Sequence, residues 1–200
     1  SEVPDAGAVG CRTLNSDESL QLSCYRFPSP REIFSQYFPF GNHYSPFQDM
    51  DYSKTAEVEY VRGSFMAIRR ECLESTGMFD PRFFMFGEEA DLCYRMRTGG
   101  WKVYYHPEPV IIHHKGKSTA QVYGKMVSER IRSIIRFFHK HAPEQTWLIR
   151  SIIILGTGLR MVMKPLLDRV KRRKGVPTIP MVVYRHAMGA AAGLNIKGPG

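Results

Sequence analysis

Two short runs rich in apolar positions, residues 6–14 (AGAVGCRTL) and 20–27 (LQLSCYRF), flank Asn15-Ser16-Asp17-Glu18. A turn-forming tetrad between two such runs predicts a β-hairpin. From Pro28 to Thr55 the periodicity fades and prolines and aromatics crowd together, which predicts a long excursion with one helical turn around Glu32–Tyr37. The pattern returns at Val58–Val61, a strand that reaches Gly63 and continues through Phe65–Ile68. A short helix over Arg70–Ser75 is stopped by Gly77, and an aromatic connector, FDPRFFMFG, follows. Glu88–Thr98 has Leu92 and Met96 on one face and ends at Gly99-Gly100, which predicts a helix. Strands are expected over Trp101–Tyr105 and Pro109–Ile112. Ser118 with Gln121 forms a capping-box signature for a helix reaching about His141, with Val122, Met126, Ile131, Ile134, Ile135 and Phe138 as its apolar set. A second helix is expected over about 143–170, and the Gly-rich tail after Pro177 reads as irregular.

These elements divide the chain at 1–117, 118–175 and 176–200. Two hundred residues suit one domain with an appendage, or part of a larger domain, and 43% hydrophobic residues are enough for a core. The net charge of +9 is concentrated: residues 115–174 carry 15 Lys/Arg against three acids, while the remainder carries 13 against 16. The C-terminal segment therefore faces something anionic, lipid headgroups or nucleic acid. Lys164–Lys174 has no aromatic residues for base stacking, so nucleic acid is not an expected partner. Ser151–Leu159 is apolar for only nine residues between Arg150 and Arg160, short of the roughly 20 that span a bilayer. With its basic flanks it reads as an in-plane helix at an anionic membrane surface. Cys11, Cys24, Cys72 and Cys93 form no C-x-x-C pair, which fits a reducing, cytosolic setting.

The candidate chemistry lies between Val61 and Ser118. Glu88, Glu89 and Asp91 crowd the first turn of a predicted helix. There the backbone N–H groups favour negative charge, while mutual repulsion raises at least one pKa. A carboxylate so held is a candidate general base; acids at a helix start are also ordinary capping chemistry. Asp91 and Arg95, four residues apart, are placed to pair along the helix.

The ordered string Gly63-Ser64, Gly77-Met78-Phe79-Asp80, Phe83-Phe84-Met85-Phe86, Glu88-Glu89, Asp91-Leu92-Cys93-x-Arg95, Gly100-Trp101, Pro107 and His113-x-x-Gly116-x-Ser118 resembles the second half of the family 2 glycosyltransferases. The nearest branch is rhamnosyltransferase-like, and the likeness covers about residues 6–165. It implies an α/β fold: part of a GT-A-like (nucleotide-diphospho-sugar transferase) domain with a mixed sheet, followed by C-terminal amphipathic helices. It implies an inverting transfer from a nucleotide-sugar donor to a lipid-linked or glycan acceptor, at the cytoplasmic face of a membrane. Glu89 then takes the place of the family's base, usually Asp, and Glu88 is able to share that role. His113 falls where relatives complete a Mg or Mn site. Gly63, Ser64, Asp91 and Arg95 form the substrate-binding set. Trp101, Phe83 and Phe84 are expected in the core. The family's D-x-D metal motif is expected before Ser1; Asp49-Met50-Asp51 has the letters but sits in a Pro/aromatic loop. On this reading the chain alone is inactive, and a non-catalytic scaffold is the alternative.

Overall fold

The computed structural model describes residues 3–38, 47, 50–114, 123–173 and 180–193. The chain forms two compact units, Ser1–Phe27 with Ser45–Lys117, and Pro28–Tyr44 with Ser118–Gly200. The expected Ser118–Gln121 cap, together with Val122, Gly116 and Asp49, lies outside the described residues.

In the first unit β1 (Ala6–Leu14) is the spine of a mixed sheet. One edge runs parallel to β7 (Lys102–Ile112), and β2 (Leu20–Gln21) and β6 (Ala67–Ile68) share its other edge, both antiparallel. β4 (Ala56–Val58) closes the far side of β7, also antiparallel. The expected hairpin forms between β1 and β2: Asn15 N donates to Ser19 O at 2.9 Å, and Glu18 takes φ 65°.

The run expected as one strand over 20–27 is divided. β3 (Cys24–Tyr25) leaves the hairpin and pairs with β5 (Tyr60–Val61) as a separate two-stranded ladder. A Cβ added at Gly10 would lie 2.6 Å from Val61 Cγ1, so β5 sits directly on β1 where only glycine leaves room. The two strands expected around Pro107 and Pro109 are one strand with a bulge. Cys11 pairs with His106 and Arg12 with Val110, which leaves Pro107–Pro109 out of the ladder, and two of those three residues have no N–H to offer it.

Two helices cover this sheet. α2 (Arg70–Thr76) ends at Gly77 with φ 80°, and α3 (Glu88–Thr98) ends at Gly99, both close to expectation. Val58, Val61, Leu92, Met96, Val103 and Tyr105 form the core. All four cysteines are buried free thiols. Burial pushes those of Cys24 and Cys93 up to about 12, so both stay as small apolar fillers. Phe83 is buried as expected, but Phe84 is 69% exposed, because the turn that Asp80 builds for the backbone N–H of Arg82 and Phe83 sends successive rings to opposite sides.

The second unit is helical: α1 (Pro30–Tyr37), α4 (Tyr123–His141), α5 (Thr146–Arg173) and α6 (Met181–Ala192). α1 is longer than the single turn expected, because Ser29 and Glu32 cap it reciprocally. It docks where α5 has a glycine; a Cβ at Gly156 would lie 2.7 Å from that of Tyr37. Met126, Ile131, Ile135 and Phe138 are buried along α4 as expected, and Phe137 joins them.

Two expectations are corrected here. The tail expected to be irregular contains α6, in which Val183, Ala187, Ala190 and Ala191 are buried at helical spacing and Gly193, at φ 81°, ends the helix. The argument that α5 is too short to span also fails. Pro143–Leu166 is long and apolar enough by length and composition, with 22% of it buried, a test that core helices of soluble proteins also pass. The two arginines that bounded the nine-residue count lie on the packed side: Arg150 donates to Ala191 O and Arg160 to Gln36 O. The opposite face leaves Leu148, Leu155, Leu159, Val162 and Leu166 exposed.

Candidate functional site

The acidic pair follows a strained turn. Phe86 takes φ 66° and Gly87 φ 97°, and a non-glycine residue in the left-handed region costs about 1–2 kcal/mol. Such strain persists where the surroundings fix it, often at functional positions. Gly87 caps α3 with no side chain of its own, so the first-turn N–H groups face Glu88, Glu89 and Asp91. Glu89 turns back to accept from Gly87 N at 3.2 Å.

Glu88 is half-buried, and its Oε2 has no hydrogen-bond partner among the described residues. Burial first, then the neighbouring Glu89 charge, raise its pKa from 4.5 to about 7. The native state therefore holds this proton more tightly than the unfolded chain does. The resulting stabilisation is complete below about pH 4.5 and is lost as pH rises through about 7. In a Glu88→Gln variant, melting temperature is expected to fall less than in the parent protein between pH 4.5 and 7.5; parallel curves would show that Glu88 has no raised pKa.

A hydrogen-bonded cluster joins Arg62 to His113. The Glu89 charge acts on the half-buried Arg62. Arg62 Nη1 donates to Gln21 Oε1 at 3.2 Å, its Nη2 donates to the Tyr25 hydroxyl, and its guanidinium lies over the Tyr25 ring. Gln21, 4% exposed, donates through Nε2 to Asn15 Oδ1 at 2.7 Å and to His113 O at 3.1 Å. With both amide hydrogens used in that way, Oε1 is the acceptor for His113 Nδ1 at 2.7 Å. The neutral imidazole then carries its proton on Nδ1 and its lone pair on Nε2. Arg62 and His113 thus belong to one network through Gln21, and Glu89 acts on it only through its charge at Arg62. The sequence reading singled out neither Arg62 nor Gln21. Arg62 directly precedes Gly63-Ser64, and a glutamine buried in a short strand is itself unusual; neither spacing nor composition announces the link.

Gly63 and Ser64 turn the chain between β5 and β6. Gly63 is exposed, and a Cβ there would meet nothing within 4 Å. Ser64 Oγ is buried without a hydrogen-bond partner among the described residues. Gly63 thus has open space beside it, while the Ser64 hydroxyl is enclosed.

Asp91 is 0% exposed and pairs with Arg95 Nε at 2.9 Å, while Arg95 Nη1 and Nη2 donate to the carbonyls of Thr76, Gly77 and Met78. The pair clasps the C-terminal end of α2 to α3, so its expected place among substrate contacts is corrected to a structural one. The acid lies too deep to meet a ligand.

His113 is a single nitrogen donor, and the described residues contain no group of three His, Cys, Asp or Glu able to hold a metal. Asp51 is occupied in its own turn, accepting from Ser53 N at 3.0 Å and pairing with Lys54 at 3.1 Å. The residues described here do not by themselves form a cation site. What they offer is a carboxylate pair holding a proton near neutral pH within the field of the Arg62 guanidinium, and a tautomerically fixed imidazole held by the same Gln21 that Arg62 contacts. Such a set accepts a proton from a hydroxyl and tolerates nearby anionic oxygens.

A family model described as "Glycosyltransferase like family 2" matches residues 7–134. Over 199 residues the chain is 28% identical to the N-acetylglucosaminyl-diphospho-decaprenol L-rhamnosyltransferase of Mycobacterium tuberculosis, covering 93% of this chain and 62% of that protein. It is 30% identical over 127 residues to rhamnosyltransferase WbbL of Escherichia coli, covering 62% of this chain and 48% of that protein. Against the O-antigen biosynthesis protein RfbC of Myxococcus xanthus it is 28% identical over 120 residues, 59% of this chain and 9% of that protein. The chain spans 62% or less of the length of these curated relatives.

Proposed function

Because the chain belongs to glycosyltransferase family 2, with rhamnosyltransferases among its relatives, we propose that it forms the acceptor side of an inverting glycosyltransferase of cell-envelope glycan synthesis. The donor in this reading is a nucleotide-sugar carrying rhamnose or another deoxyhexose, and the acceptor is lipid-linked or a glycan. The supporting observations are the raised pKa of Glu88 beside Glu89 and the hydrogen-bonded cluster that joins Arg62, on which the Glu89 charge acts, through Gln21 to His113.

The chemistry is a single displacement. Glu89 takes the proton of the acceptor hydroxyl as that oxygen bonds to the anomeric carbon. The bond from that carbon to the nucleoside diphosphate breaks, and the leaving diphosphate keeps the electron pair. Glu88, protonated up to about pH 7, keeps the two carboxylates from repelling each other below that pH and is able to share the base's role above it. Gly63 supplies open floor for the sugar, and the buried Ser64 Oγ lies in the turn beneath it. Use of Mg or Mn belongs to the same reading. His113 would supply one ligand to such a cation, and the others would come from outside the described residues.

Membrane contact is also part of the proposal. α5 is packed on one face and presents the apolar row from Leu148 to Leu166 on the other. A helix so divided lies in the plane of a cytoplasmic-facing leaflet rather than crossing it, and it suits an acceptor carried by lipid.

The test is transfer by the full-length protein, with purified nucleotide-sugars and a short lipid-linked acceptor, before and after chelation of divalent cations. Product of inverted anomeric configuration, lost with chelator and restored by Mn, is expected. Absence of transfer with every donor, while the protein stays folded and binds nucleotide-sugar, would leave the scaffold alternative.

A further inference from the structure

The second unit contains a concave site unconnected with the acidic pair. Arg132, Arg136 and His139 occupy one face of α4 at spacings of four and three residues. With Arg150 of α5 and Ala190 and Gly193 at the end of α6, they line an open pocket of about 360 Å³ floored by Ile135. None of the described residues lining it is acidic. Its three fixed cations are all arginines, although lysines also occur along these helices. Two of the guanidiniums are anchored from behind: Arg132 by Glu129 at 2.6 Å, and Arg150 by donating one of its five N–H groups to Ala191 O at 2.8 Å. The anchoring holds planar forks in place around a common space, the arrangement that matches phosphate oxygens in pairs.

We propose that this pocket is a binding site for a phosphate or diphosphate group, gripped by Arg132, Arg136 and Arg150 with His139 at its rim. The site does not depend on the sugar-transfer reading. Two sources carry the same chemistry, a free diphosphate and the headgroup of a phospholipid, and the experiment separates them.

The probe is inorganic pyrophosphate, titrated calorimetrically into the full-length protein. Saturable binding is expected, with affinity about tenfold lower in Arg136→Gln and unchanged in Arg169→Gln, which removes an exposed charge elsewhere on α5. Equal weakening by both variants would show diffuse surface charge and overturn the proposal. If Arg136→Gln does not fold, the unsubstituted protein decides: pyrophosphate should raise its melting temperature where sodium chloride of equal ionic strength does not, and equal shifts overturn the site. Flotation with phosphatidylcholine vesicles containing phosphatidic acid then identifies the source. Competition by pyrophosphate assigns the pocket to lipid headgroups, and pyrophosphate binding with no competition assigns it to a free diphosphate. Vesicle binding that ignores both pyrophosphate and Arg136→Gln, without calorimetric binding, assigns membrane contact to the apolar face of α5 alone and overturns the pocket.

Discussion

Replacing Glu89 with Gln in the full-length protein is expected to lower kcat by about a hundredfold to ten-thousandfold, the usual contribution of a positioned general base. The amide keeps the size of the side chain but cannot take a proton. Glu89 lies in the first turn of α3 and bonds back to Gly87 N, so the helix and the turn before it should survive the change. KM for the donor should barely move, because the group acts on the acceptor hydroxyl. Glu88→Gln should cost less, since Glu88 already carries a proton up to about pH 7 and the amide mimics that state. The reverse ranking, with Glu89→Gln active and Glu88→Gln dead, would make Glu88 the base. Steady-state kinetics on both variants at pH 6, where Glu88 still holds its proton, with melting curves alongside, distinguish the two.

The largest expected loss of stability is at Arg95. Arg95→Met keeps the bulk of the stem but leaves Asp91, 0% exposed, without its guanidinium. Breaking a buried pair from one side costs about 3–5 kcal/mol. The carbonyls of Thr76, Gly77 and Met78 lose their donor in the same step. Chemical denaturation of the variant should show that loss. A change below about 1 kcal/mol, the level of a surface pair, would mean that the clasp is not what holds α2 against α3.

How much of this was legible in the sequence depended on how local the cause was. α3 has the bounds expected, Glu88–Thr98, because glycines fence both ends and acids fill its first turn. The hairpin after β1 and the end of α2 at Gly77 were legible for the same reason. α1 carried an equally local mark, Ser29-Pro30-Arg31-Glu32, which went unused among the surrounding prolines and aromatics. α6 was lost to a compositional habit: its glycine-rich surroundings suggested irregular chain, while its alanines and valines recur at helical spacing. Arg150 and Arg160 break the apolar run of α5 along the sequence but not around the helix, because both fall on the packed side.

The site divides in the same way. Glu88 and Glu89 announced themselves through position and charge. Asp91 and Arg95 did too, but their depth in the fold did not, and it is depth that takes them away from a ligand. The contact between Gln21 and His113 joins residues 92 apart in the chain. It exists because β1 receives β2 on one edge and β7 on the other, an arrangement that no short-range pattern encodes.

That arrangement has a consequence for how the family's sequences can drift. Pro107–Pro109 act as a spacer: β7 leaves β1 after His106 and rejoins it at Val110, and the length of the detour decides which later residue donates its N–H to Leu14 O and lies beside Gln21. Shortening the detour by one residue would slide His114 into the place of His113, so an imidazole would still arrive. Lengthening it by one would deliver Ile112 and leave the amide facing a hydrocarbon. The tandem histidines make the strand tolerant of contraction and intolerant of insertion.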